Sequence, residues 1–166
     1  YFAGPDGTIL PHEIERWDNT LEKAEIWVRV DTVHGNSATQ YFYMTSGDAG
    51  SGSNAAAVFD TANGFHAVWH MDSTVAGRGT PGVYRDATYS AMHLDDETVG
   101  TSQAGIIGKG QEFTGGEGVD ADHAGILVAG GLPRNTVTLS GWCRLDTLNK
   151  WNNILIFDWP ENDGNW

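Results

Sequence analysis

The feature that most constrains this chain is a two-residue alternation of apolar and polar side chains. In Lys23–Val33, Ala24, Ile26, Val28 and Val30 fall on one side, and Glu25, Trp27, Arg29 and Asp31 on the other. A β-strand turns successive side chains to opposite faces, so such a run buries one face of a sheet and wets the other. HGNSA (34–38) is expected to turn the chain, with TQYFYM (39–44) returning as the partner strand of a hairpin. A second run, FHAVWHM (65–71), sets Phe65, Ala67, Trp69 and Met71 together. Beyond it, GIIGKGQEFTG (105–115), AGILVAG (124–130), TVTLSGWCRL (136–145) and WNNILIFDW (151–159) read as strands between Gly, Pro and Asn punctuation. No stretch sustains a helical period, and no internal repeat is present. Short strands with glycine-rich turns predict an all-β chain of β-sandwich architecture. SGDAGSGSNAAA (46–57) is small and flexible in composition, and DTANG (60–64) marks the expected boundary between two modules, 1–60 and 65–166.

A length of 166 residues suffices for one well-buried domain or two small ones. The chain begins at Tyr1 without a methionine and stops at Trp166 just after an apolar run, so it reads as a segment of something longer. No apolar stretch approaches the roughly 20 residues of a membrane helix. Nine basic against 22 acidic residues leave a net charge of −13, and the acid is spread evenly along the chain. That field repels nucleic acid and anionic membrane surfaces, which excludes both as partners. The single cysteine, Cys143, rules out a disulfide within the segment and is expected to be a buried, inert thiol. Seven Trp and 22 Gly among many small polar residues point to a secreted all-β protein of bacterial type.

Three clusters invite a chemical reading. LPHEIERWD (10–18) lacks the second histidine of a zinc-binding His-Glu-x-x-His helix, since Arg16 stands in that place. Glu13 and Glu15 share one strand face at about 6.8 Å, a glycosidase-like separation, but catalytic pairs normally come from different elements. The segment is therefore expected to be framework. His66 and His70 lie about 13 Å apart on a strand, too far for one ion, and are expected to be surface histidines. VDADHAG (119–125) fails the calcium-loop pattern, with Ala124 and Gly131 at ligand positions. ENDGN (161–165), the nearest approach to a glucanase strand, reads as a turn because Gly164 suits a strand poorly.

Taken in order, LPHEIERWD, KAEIWVRVDTV, TQYFYMTSGD and GSNAAAVFD resemble the domain of unknown function 2341 over about residues 1–60. That family carries an L-P-[YH]-E-I-E-x-W segment, a V-W-V-[KR]-V strand and a small-residue stretch closing on V-F-D. The copy looks N-terminally truncated, and Met44-Thr45-Ser46 departs from the family's Tyr-Gly-Asn. The resemblance implies no catalytic role for HEIE. VWHMD (68–72), GIIGKGQEFTGGEGVD (105–120) and VTLSGWCRLDTL (137–148) are similar to laminin-G-like, concanavalin A-like jelly rolls, here C-terminally incomplete. That second resemblance implies one structural Ca²⁺, with Asp86 as the positional ligand and Asp72 next. Ala87-Thr88-Tyr89 replaces the usual Ser-Gly-Asn run.

The expected function is a non-catalytic carbohydrate-binding or adhesion module of a bacterial or archaeal secreted or cell-surface protein. Its partners would be a glycan or other surface ligand and neighbouring domains of the same chain. Aromatic faces stack on sugars while polar side chains orient the hydroxyls. Trp142, Trp151 and Trp159, with Arg144 and Asp158 beside them, are the candidate contacts. The competing expectations are a structural stalk without ligand and a fragment of a concanavalin-like glycoside hydrolase.

Overall fold

The computed structural model describes residues 1–47, 52–74, 80–96, 101–113, 124–125 and 138–145. The chain falls into two compact units, Tyr1–Leu132 and Pro133–Trp166. Among the described residues the regular structure is ten short strands, a four-residue α-helix and one 3-10 turn, an all-β composition.

The longest strands are β3 (His12–Asp18) and β4 (Lys23–Val28), paired antiparallel from His12↔Val28 to Asp18↔Lys23. This corrects the expected hairpin, in which 39–44 would have paired with 23–33. The four-residue connection 19–22 is held by the Asp18 carboxylate, which accepts from the Thr20 and Leu21 amides at 2.9 Å. The displaced segment supplies β5 (Tyr43–Met44), an edge strand beside β1 (Phe2–Ala3), whose other neighbour is β2 (Ile9–Leu10). The pairings Phe2↔Leu10 and Phe2↔Met44 hold that three-stranded sheet.

The small-residue stretch, flexible in composition, ends in a helix. Helix α1 (Ala55–Val58) is capped by Asn54, whose side chain accepts from the Ala57 amide, and a 3-10 turn follows at Thr61–Asn63. The backbone just before α1 lies along β3, with the Asn54 amide donating to the His12 carbonyl at 2.7 Å. Arg29 reaches from the end of β4 to the Ala57 carbonyl and to Asp60.

Further along, β6 (Thr80–Tyr84), β7 (Leu94–Asp96) and β10 (Ala124–Gly125) form an antiparallel sheet in the order β10-β7-β6. The expected strand over 105–115 is instead a hairpin of β8 (Thr101–Ala104) and β9 (Lys109–Glu112), with Gly105–Gly108 as its turn. FHAVWHM forms no ladder and makes a single bridge, Trp69↔Asp86. Residues 138–145 carry no strand, and Cys143 is exposed, contrary to the buried thiol expected there.

The buried hydrophobic side chains among the described residues are Phe2, Ala3, Val58, Phe59 and Tyr84, joined by the polar His12, Asp86 and Thr88.

Candidate functional site

The densest group of titratable side chains lies where β3 bulges. Its register shifts between Ile14 and Arg16, leaving Glu15 as the extra residue. A bulge sets two residues against one on the partner strand and re-aims the side chains there. Glu13 and Glu15 accordingly converge on His70, which comes from a segment 57 positions further along. His70 Nε2 lies 3.0 Å from Glu13 Oε2, and Nδ1 lies 3.4 Å from Glu15 Oε2. The three side chains are 14, 12 and 4 % exposed for His70, Glu13 and Glu15. The Trp27 indole N–H donates to the Glu15 carboxylate. The His70 ring also rests against Phe59, 5.6 Å between centroids, and Trp27, 6.3 Å. Next along the strand, Arg16 makes a two-pronged ion pair with Glu25.

The electrostatics follow from this geometry. Burial pushes the His70 pKa down. The hydrogen bond to Glu13 and the charges of Glu13, Glu15 and Asp72 outweigh it, so the imidazole titrates above its ordinary value. His70 is thus no surface histidine, which corrects the sequence reading. His66 is also partly buried, and its Nε2 has no hydrogen-bond partner among the described residues.

The trio is poorly disposed for catalysis or metal binding. The carboxylates meet opposite nitrogens of one ring, so they do not converge with a single nitrogen on one point. No group of three or more His, Cys, Asp or Glu among the described residues is arranged to hold an ion. Nucleophile and acid roles also need access to substrate, and a 4 % exposed Glu15 offers little.

Asp86 is the second polar centre, and it is 7 % exposed. Its Oδ1 accepts from the Val68 amide at 3.0 Å and the Thr88 amide at 2.9 Å. Its Oδ2 accepts from the Thr88 hydroxyl and the Met92 amide, each at 2.9 Å. Four donors take up the acceptor capacity of the carboxylate. Asp86, the residue placed by position as a calcium ligand, joins segment 66–72 to the 86–92 loop through these bonds. Asp72, the companion candidate, is exposed and contributes its charge to the surroundings of His70.

Of the proposed sugar contacts, Trp142 is 80 % exposed and Arg144 is exposed two residues on. Trp151, Asp158 and Trp159 lie outside the described residues, as do 119–123 and 161–165 of the other motifs. An open depression of about 400 Å³ near β3 is lined by Ile9, Pro11, His12, Ser53, Asn54 and Ala57 among others, with no carboxylate, lysine or arginine.

The His70 trio escaped the sequence reading because its histidine comes from 57 positions further along, beyond anything local alternation reports. The one available signal was the density of charge in HEIER on a strand whose flanks are apolar.

Residues 1–74 match the family model described as a domain of unknown function (DUF2341). The match runs past 60–64 and takes in His70, so both sides of the trio belong to the family segment. No curated protein and no solved structure matches the chain. Nothing in these comparisons points to a laminin-G-like or concanavalin A-like domain.

Proposed function

We propose that the chain is a non-catalytic carbohydrate-binding or adhesion segment of a secreted or cell-surface bacterial or archaeal protein with several modules. In this reading the residues beyond the family match, from 75 onward, belong to a β-sandwich of the concanavalin A-like jelly-roll kind. The observation that carries the proposal is Trp142, a large aromatic face left 80 % exposed. An exposed indole is a costly surface for a protein to present unless something stacks on it. Arg144 is the neighbouring polar side chain to orient a hydroxyl or carboxylate of the sugar. The non-catalytic half of the proposal is supported by how the carboxylates are used. Glu13 and Glu15 hold His70, Glu25 pairs with Arg16, and Asp86 carries four donors.

The same internal use of polar groups favours a second reading, a stalk or spacer without ligand. A glycan array, followed by affinity electrophoresis in the retaining polysaccharide, separates the two. Retention is expected, with Trp142→Ala weakening it about tenfold, or about 1.4 kcal/mol. Absence of retention on every glycan gives the stalk reading, and release of reducing ends from a bound polysaccharide overturns the non-catalytic one.

A further inference from the structure

We propose that His70 is a pH-governed clasp: its protonated ring, gripped between Glu13 and Glu15 on bulged strand β3, binds segment 66–72 to the β3–β4 hairpin, and loss of that proton releases the grip. Both ring nitrogens face a carboxylate oxygen, at 3.0 and 3.4 Å. Only the imidazolium carries two N–H groups; the neutral ring donates from one nitrogen and turns a lone pair on the other. Deprotonation would therefore set a lone pair against a buried carboxylate, with Phe59 and Trp27 limiting the water that could intervene.

The charged groups facing the ring, among the described residues, are Glu13 and Glu15 from β3 and Asp72 from its own segment. From β4 and from the end of α1 it meets only Trp27 and Phe59, which are uncharged. Three carboxylates surround one cation, and this balance holds the His70 pKa above its ordinary value despite burial. Glu15 also accepts from the Trp27 indole, a bond that does not require the His70 proton.

The segment that His70 belongs to is fastened elsewhere by groups of another kind. Asp86 accepts from the Val68 amide, the Ala87 amide donates to the Val68 carbonyl, and the Gln111 amide side chain donates to the Met71 and Ser73 carbonyls. Those contacts fix 66–73 to the later strands. The contact with the β3 bulge is the one made through the histidine of the segment itself; at the other end the Asp86 amide donates to His93 Nδ1 at 3.0 Å. The device is a strap whose β3 end is held by an imidazole between two carboxylates.

The direction is set by linkage. A histidine with a raised pKa in the closed state contributes its full stabilisation below its open-state pKa of about 6.5, and loses it as pH rises through the closed-state value. In that window the open fraction grows by up to about tenfold per pH unit, then levels off.

The test is an NMR titration of the 166-residue chain, following the His70 ring nitrogens and the Trp27 indole N–H from pH 5 to 9. Hydrogen-exchange protection of 12–17 and 66–72 is measured in parallel and corrected for intrinsic exchange. The expected result is a His70 midpoint above about 6.5, a Trp27 resonance shifting with the same midpoint, and protection of 66–72 falling across that window. Glu13→Gln should lower the midpoint, and His70→Gln should abolish the pH dependence of protection. A midpoint at or below the ordinary histidine value overturns the proposal, as does protection that stays constant through the transition. Should either variant fail to fold, the wild-type titration decides alone.

Discussion

Replacing Asp86 by alanine tests whether its carboxylate is a staple or a ligand in waiting. The substitution strands four donors: the amides of Val68, Thr88 and Met92, and the Thr88 hydroxyl. A hydrogen bond to a charged group contributes about 1.5–3 kcal/mol, so a simple sum would reach roughly 6–12 kcal/mol. The true loss is smaller, because Val68 and Met92 are only partly buried and their amides can recover water. Thr88, 5 % exposed, has less opportunity to do so. The expected destabilisation is about 3–5 kcal/mol, in the range reserved for breaking a buried polar network. For a chain of this size that corresponds to a fall in melting midpoint of about 8–15 °C. Urea unfolding followed by tryptophan fluorescence supplies the free energy, with the m-value checking that the unfolded state is unchanged. Millimolar calcium is expected to leave the wild-type midpoint where it is, since a cation would have to displace donors already in place. The reasoning fails if Asp86→Ala costs less than about 1 kcal/mol, or if calcium raises the wild-type midpoint and the substitution abolishes that rise.

Three further outcomes follow from the same structure. In the β8–β9 turn, a Cβ on Gly105 would lie 2.8 Å from the carbonyl oxygens of Ile107 and Lys109, so Gly105→Ala must move backbone. It should cost about 1–3 kcal/mol by urea unfolding, whereas Gly141→Ala, with nothing within 4 Å, should be neutral. Gly108 has φ +53° and a Cβ there would approach Glu15 Oε1 to 3.3 Å, so Gly108→Ala should cost about 1–2 kcal/mol. Five buried hydrophobic side chains among the described residues make a thin core, and the isolated chain should melt below about 60 °C by circular dichroism; a cooperative transition above that would contradict it.

Local pattern carried a good part of this fold. The runs around His12–Asp18 and Lys23–Val28 announce strands at the places where strands form, because alternation is written into neighbouring residues. The motif order over 1–60 was enough to reach the family that residues 1–74 match. Asp86 was singled out by position alone, and the structure shows it 7 % exposed with four hydrogen bonds to its carboxylate, which no local pattern announces.

What the amino-acid order determined by itself is therefore the strand-forming tendency, the acidic surface and the all-β composition. Tertiary structure decided the rest: which strand pairs with which, where β3 bulges, and that a histidine 57 residues away closes on Glu13. Alternation specifies that a strand has two faces. It does not specify the partner, since pairing joins residues far apart in the chain, as Phe2 with Met44. Nor does it reveal that Glu13 and Glu15 are mostly buried, because a carboxylate is tolerated inside only once a distant cation has arrived to meet it.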